Sequence, residues 1–324
     1  MAIKSVQLKN FLGFSDKALF DFSNEINVII GENGSGKTTI LKCIYAAIQC
    51  SNPDANFEPM AKTAHYFSYD IYLSDLASGD KDCGFTVRDD NNYFMTLISR
   101  NQTIAAGASG NLDVKQAVFI PTTEMLSHSK GLLALNQKYK LPFDDTQIDI
   151  IVNASLPETR EIPSNLEGIL EKISKAIDGT VVMEDDTFYV VKSDGKKIEF
   201  SLEAEGLRKL GLIWKLIRNG LLEEGSILLW DEPEANLNPE LYPLVADILI
   251  ELQKNGVQIF VATHSYNFAK YLEIKSYYGK KALFFTLYKD SDGVIKSDVS
   301  TELEESKNNP MVKAENTLLD TILD

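Results

Sequence analysis

One stretch limits what this chain can fold into: Ile26-Asn27-Val28-Ile29-Ile30-Gly31-Glu32-Asn33-Gly34-Ser35-Gly36-Lys37-Thr38-Thr39-Ile40-Leu41. An apolar run of strand length enters a glycine-rich turn, and the turn opens into a helix-forming segment. Residues 31–38 satisfy G-x-x-x-x-G-K-[ST] at every specified position, in the strand-to-helix setting that motif needs. Glycines allow successive backbone N–H groups to turn inward around an anion, and the following helix adds its positive end. The cradle then consists of Asn33, Gly34, Ser35, Gly36, Lys37, Thr38 and Thr39. Lys37 reaches the β- and γ-phosphates and Thr38 offers its hydroxyl to Mg²⁺. A plain glycine turn before a core helix would leave the lysine and the threonine unexplained. The stretch reads as a site for a nucleoside triphosphate.

A second signal lies near residue 230. Ile227-Leu228-Leu229-Trp230-Asp231-Glu232-Pro233 is an apolar strand ending in two carboxylates. Open α/β sheets hold ligands beyond the carboxyl ends of their strands, so both acids belong there. Asp231 suits the Mg²⁺ sphere, and Glu232 suits the general base that polarises an attacking water. Glu234-Ala235-Asn236-Leu237-Asn238-Pro239 follows as a turn into a helix. After the next buried strand comes Thr263-His264-Ser265. His264 sits after its strand as Asp231-Glu232 does after theirs, so it is placed as the γ-phosphate sensor; a purely structural histidine is the competing reading.

Around these signals the chain alternates short elements. Residues 3–8 read as a strand, Lys9-Asn10-Phe11-Leu12-Gly13-Phe14 as a turn, and residues 18–22 as a second strand. That hairpin either leans on the base of a nucleotide or is a plain sheet edge. The helix after Lys37 runs to about Cys50 and Asn52-Pro53 ends it. Residues 56–77 are weakly helical, 84–88 and 93–98 form a hairpin, and Gly107-Ala108-Ser109-Gly110 is a flexible turn. Residues 114–120 form a strand stopped by Pro121, and 122–131 are loop-like. Helices follow at 132–139, 146–155 and 165–177. A three-stranded meander follows over 180–183, 187–191 and 196–200. Residues 206–218 make an amphipathic helix with Leu207, Leu210, Ile213, Trp214 and Ile217 on one stripe. The remaining elements are a buried strand at 226–230, a helix at 239–252, a buried strand at 258–262, and a hairpin of 282–288 with 294–299. Its turn, Asp290-Ser291-Asp292-Gly293, is a turn rather than a metal site. The acidic tail from Thr301 is part linker and part short helix.

Composition bears on partners. Among 324 residues, 32 basic against 47 acidic side chains give a net charge of −15 and a pI near 4.7. Such a chain repels nucleic acid on average, so any DNA contact needs a local basic patch or a partner. Cys43, Cys50 and Cys83 have no metal or disulfide spacing and fit a reducing compartment. With no signal-peptide pattern and no apolar run long enough to span a bilayer, the expectation is a cytoplasmic protein without a membrane role.

The order of motifs resembles the heads of ABC-type ATPases, in the branch of SMC, RecF and OLD-like proteins rather than transporters. Lys9-Asn10-Phe11 resembles the branch's entry motif, residues 31–38 its Walker A, residues 228–232 its Walker B. Residues 234–238 resemble the D-loop, and His264 the switch histidine. Phe119-Ile120-Pro121-Thr122-Thr123-Glu124-Met125-Leu126-Ser127, continuing to Lys130-Gly131, looks like the insertion-bordering loop of compact bacterial ATPases of anti-phage defence (PtuA-like, retron-associated).

The resemblance implies an α/β fold: a P-loop ATPase head with a mixed, mostly parallel sheet, an antiparallel β subdomain and a helical/β insertion. It implies one ATPase domain over 1–324. Within it lie an N-terminal lobe at 1–130, the insertion at 131–200, the signature helix, Walker B and switch histidine at 201–300, and the tail at 301–324. ATP and Mg²⁺ are the implied cofactors. Lys37, Glu232 and His264 are the implied catalytic residues, Thr38 and Asp231 the metal ligands, and Asn10, Phe11 and Gly206 further nucleotide contacts. Gly206 would cap the ATP held by the P-loop of a second subunit. The expected assembly is a homodimer, or a higher oligomer of dimers, with a separate effector protein, a nuclease or toxin; a RecF-like DNA-repair clamp is the alternative.

Two departures stand out. Leu202-Glu203-Ala204-Glu205-Gly206-Leu207-Arg208-Lys209 replaces the usual L-S-G-G-Q/E signature and lacks its serine unless Ser201 serves, and no Q-loop glutamine is evident between Gln116 and Glu124. No heptad arm separates the Walker motifs, and the 60 residues after His264 are too few for a Toprim nuclease.

Overall fold

The computed structural model describes residues 2–51, 63–71, 73–76, 82–98, 104–279 and 282–323. Strands β1 (Ser5–Phe11) and β2 (Phe14–Asp21) form a hairpin that precedes β3 (Ile26–Gly31) and helix α1 (Lys37–Ser51). Strands β4 (Gly84–Arg88), β5 (Tyr93–Ile98), β6 (Ile104–Ala108) and β7 (Gln116–Ile120) follow. Helices α2 (Leu132–Tyr139), α3 (Asp145–Ser155) and α4 (Ser164–Ile177) lead to β8 (Gly179–Glu184), β9 (Thr187–Lys192) and β10 (Lys197–Glu199). The chain then runs through α5 (Glu205–Arg218), β11 (Ser226–Asp231), α6 (Tyr242–Lys254), β12 (Gln258–Thr263) and α7 (Tyr266–Ser276). It ends in β13 (Ala282–Lys289), β14 (Ile295–Ser300) and α8 (Pro310–Leu323).

Three sheets result. The six-stranded one has the order β14-β13-β3-β12-β11-β7, parallel except for β14. The five-stranded antiparallel sheet runs β2-β1-β4-β5-β6, and the meander forms a third sheet, β10-β9-β8. This is the α/β architecture expected.

Every residue of β3, β11 and β12 is buried, because helices or sheets cover both faces, which is why these strands read as unbroken apolar runs. Alternate residues feed two cores. Val28, Ile30, Leu228, Trp230 and Val261 point into one with Ile150, Ile169, Ile213 and Leu249 from α3 to α6. Ile29, Ile227, Leu229, Phe260 and Ala262 point into the other with Ile40, Leu41 and Ile44 of α1 and aromatic residues of the five-stranded sheet. The segment 131–200 contributes Ile150, Ile173, Val181 and Phe200 to the first core, so it shares that core with the main sheet.

Local expectations needed correction in several places. Residues 9–14 are not a turn: β1 continues through Phe11, Asn10 makes an irregularity at φ 47°, and only Leu12 and Gly13 link the strands. Gly107 and Ala108 lie in β6, paired with Met95 and Phe94, rather than in a flexible turn. The helix expected from 239 begins as a 3₁₀ turn, Pro239–Leu241. Of the helix expected over 56–77, only 63–65 are helical among the described residues and Leu73–Leu76 is a 3₁₀ turn; residues 56–62, 72 and 77 lie outside the described residues. The tail holds a 14-residue helix, longer than anticipated. Among the described residues no helix is long and apolar enough to cross a membrane.

Candidate nucleotide site

Strand register gathers the motifs. Ile30 pairs with Thr263, Ala262 with Asp231, and Trp230 with Ile120. The carboxyl ends of β3, β12, β11 and β7 therefore lie side by side, and the loops that leave them carry the P-loop, His264, Asp231-Glu232 and Thr122.

In the P-loop, Glu32, Asn33 and Gly34 are exposed, whereas Ser35 and Lys37 are buried. Gly36 takes φ +91°, and a Cβ there would lie 2.5 Å from the ring of Phe14. The β1–β2 hairpin thus backs the loop with an aromatic ring that sequence reasoning had not singled out. The Lys37 ammonium donates to the Gly31 and Glu32 carbonyls at 2.8 and 2.9 Å. Burial lowers its pKa, against the opposing pull of Glu232, Asp231 and Glu234. Helix α1 is bolted to α3 by Lys42–Asp144 at 2.6 Å and by the Tyr45 hydroxyl on Asp149 at 2.9 Å.

The Thr38 hydroxyl donates to the Asp231 carboxylate, 2.9 Å from Oδ2. The Thr122 hydroxyl reaches the same oxygen at 3.2 Å. Burial raises the Asp231 pKa even though both hydroxyls donate to it. Two hydroxyl oxygens and one carboxylate form the hard-oxygen donor set that Mg²⁺ takes when substrate phosphates complete its sphere. Among the described residues no group of three or more His, Cys, Asp or Glu forms a protein-only metal cage. Thr122 lies in the stretch between Gln116 and Glu124 where no Q-loop glutamine is evident. Gln116 starts β7 at the far end of that strand, and Glu124 is buried, its Oε1 accepting from the Leu126 and Ser127 amides. No residue-type signal marked Thr122, since threonines in loops are commonplace.

Glu232 sits in the left-handed region at φ 49°, and its Oε1 lies 3.0 Å from His264 Nδ1. His264 is held from behind by Glu234, whose Oε1 accepts from the Thr263 hydroxyl at 2.5 Å and from the His264 amide at 3.2 Å. Burial raises the pKa of Glu234, whose second oxygen has no hydrogen-bond partner among the described residues. In sequence Glu234 opens a turn that resembles the D-loop; its place as the brace of the histidine comes from the tertiary structure.

Asn10 and Phe11 are both buried. Phe11 is fully buried edge-on against Phe67 and Phe85, and the Asn10 amide donates to the Asp82 carbonyl. Both side chains pack within the antiparallel sheet. Gly206 packs under its own D-loop, where a Cβ would lie 2.9 Å from Leu237 Cδ1 and 3.2 Å from the Asn236 carbonyl oxygen. Helix α5 starts at Ala204 with no side-chain cap, and Ser201 lies outside it, exposed and bonded to Glu199.

Comparison with known proteins follows the same lines. Residues 5–187 match a family model described as "AAA domain", and residues 123–269 match one described as "AAA domain, putative AbiEii toxin, Type IV TA system". A 45-residue stretch is 53% identical to the DNA replication and repair protein RecF of Francisella tularensis, in subsp. novicida and subsp. tularensis alike. It covers 14% of this chain and 13% of the RecF chain, so this chain spans a small part of the curated relatives it matches. The SMC head domain from Thermotoga maritima superposes with a TM-score of 0.52 at 17% identity, covering 93% of this chain and 99% of that one. The Smc head from Pyrococcus furiosus with an extended coiled coil, bound to the C-terminal domain of ScpA, gives 0.55 at 13% identity over the whole of both chains. At such identities the likeness is one of fold.

Proposed function

The chain belongs to the AAA domain family, and from that premise we propose that it is an ATP-hydrolysing switch that dimerises around two nucleotides. The observation that carries this reading is the convergence of Lys37, Thr38, Asp231, Glu232 and His264 at one sheet edge, with Glu232 and His264 already 3.0 Å apart.

Lys37 gives up its two carbonyl partners to hold the β/γ-phosphates, and the P-loop amides hold the rest. Thr38, Asp231 and Thr122 would hold Mg²⁺, which would supply charge neutralisation to the triphosphate. Glu232 takes the proton of the attacking water, and His264 positions that water and the γ-phosphate. The uncapped first turn of α5, around Gly206, meets the triphosphate of a second copy, so closure of the pair reports ATP and hydrolysis reopens it. The lobes at 1–130 and 201–300 carry the two halves of this site.

In biological role the chain acts as the regulatory ATPase of a bacterial anti-phage defence complex with a separate nuclease or toxin. The partial match to an AAA model named for a toxin system supports this. The short match to RecF supports a second reading, a DNA-repair clamp whose ATP gates DNA contact. Purified chain with ATP, examined by light scattering, should shift from monomer to dimer and release phosphate. A mass unchanged by ATP would remove the switch. Strong stimulation by duplex DNA alone would favour the clamp. A co-purifying effector would favour defence, and the net charge of −15 argues for weak DNA binding by the chain itself.

A further inference from the structure

Helix α5 does more than present its first turn. It is fastened to the loop after β11 at three successive points. The Asn236 amide donates to Glu205 Oε1 at 2.9 Å. Gly206 lies against Leu237 and the Asn236 carbonyl, where a Cβ would stand 2.9 Å from Leu237 Cδ1 and 3.2 Å from the Asn236 oxygen. One turn further on, the Lys209 ammonium donates to two main-chain carbonyls of that loop, Glu232 at 3.1 Å and Ala235 at 2.7 Å.

The third point is unusual. Lys209 is 2% exposed, and a buried ammonium is costly unless its donors are used and negative charge surrounds it. Burial lowers its pKa against the opposing pull of Glu205, Glu234, Glu232 and Asp231, and two of its three N–H donors reach main-chain carbonyls. Its targets matter as much as its burial. Glu232 is a non-glycine residue in the left-handed region, a conformation that persists only when its surroundings over-determine it. Its amide is tied to the Ala262 carbonyl at 2.8 Å, and its own carbonyl accepts from the Ala235 amide and from Lys209. Lys209 is therefore the one side chain among these contacts that clamps both ends of the turn aiming Glu232 at His264.

We propose that Lys209 is a positioning residue for Glu232: it locks the left-handed turn that aims the carboxylate, and it ties that turn to the helix that meets the partner's nucleotide. Movement of α5 on a second subunit's ATP is thereby passed to the general base of its own subunit. The inference rests on the reading of the chain as a two-site ATPase.

The test compares Lys209→Met, which keeps the length and removes the donors, with Lys209→Arg, which keeps a cation able to serve both carbonyls. Steady-state phosphate release and the affinity for a fluorescent ATP analogue are measured for each, beside wild type and Glu232→Gln. Lys209→Met should lower kcat by about 10- to 100-fold, the worth of charge-assisted hydrogen bonds at the base, with analogue affinity and KM within about twofold. Lys209→Arg should recover most of kcat. Wild-type kcat in Lys209→Met, or equal losses of kcat in the Met and Arg variants, would overturn the proposal. Should Lys209→Met fail to fold, Lys209→Gln, neutral but still a donor, should show the same split, and loss of affinity alongside kcat would overturn it. Equal turnover in wild type and Glu232→Gln would instead place the fault in the ATPase reading itself.

Discussion

Replacing Glu232 with glutamine isolates the proton transfer. Glutamine has the same shape and no basic oxygen lone pair of carboxylate strength, so it fills the space and cannot take the water's proton. The surroundings tolerate the change. The Glu232 side chain is 24% exposed, the Lys209 bonds go to main-chain oxygens, and the 3.0 Å contact with His264 survives as an amide–imidazole hydrogen bond. Folding should therefore shift by no more than about 0.5 kcal/mol. Positioned general bases contribute about 10²- to 10⁴-fold, equivalent to about 3–5 kcal/mol of barrier, and that loss should appear in kcat. ATP affinity should hold or rise, because one of the four carboxylates acting on Lys37 becomes neutral. Single-turnover phosphate release gives the rate, and light scattering with ATP should show a dimer that persists while hydrolysis is blocked. A rate above about a tenth of wild type would fall outside the expected range for a lost general base and would move the base elsewhere. ATP binding without a persistent dimer would refute the link between hydrolysis and reopening.

Lys37→Ala should abolish ATP binding in calorimetry while leaving the fold intact, because Lys37 is the P-loop's cation and its present bonds go only to the loop's own carbonyls; wild-type affinity would sink the site. Gly36→Ala should cost about 2–4 kcal/mol in thermal or denaturant unfolding, since the backbone is at φ +91° and the new Cβ meets the Phe14 ring at 2.5 Å; an unchanged midpoint would mean that Phe14 does not back the loop. Burial tends to raise the pKa of Glu158, but the hydrogen bonds from Arg218 and Lys215 outweigh it and lower the pKa below its ordinary 4.5. Its contribution is thus present above that value and lost as pH falls through the lowered one. For this partly exposed group, Glu158→Gln should cost about 0.5–1 kcal/mol near neutral pH and nothing in acid, followed by chemical unfolding; a pH-independent cost would show that the pairing with α5 carries no charge interaction.

Much of this molecule was legible before any coordinates. Local signals suffice where one short segment holds both the chemistry and the geometry. Gly31 to Lys37 is such a segment, because strand, turn and helix start follow from adjacent residues. The apolar runs of β3, β11 and β12 likewise announced strands covered on both faces, and placed Asp231, Glu232 and His264 at strand ends. The short entry motif at Asn10 and Phe11 does not say which way a side chain faces, and the fold turns Phe11 into an aromatic core. Thr122, Phe14, Glu234 and Lys209 stayed invisible for a different reason. Each acts through a partner distant in sequence: Thr122 on Asp231 across the β7–β11 pair, Phe14 on Gly36 across the hairpin, Lys209 on the Glu232 carbonyl across the helix–sheet interface. Glu234 braces a histidine that only the parallel pairing of β11 with β12 brings near. The reactive groups were written in contiguous motifs. The groups that hold them in place were decided by register and packing, which depend on the whole chain at once.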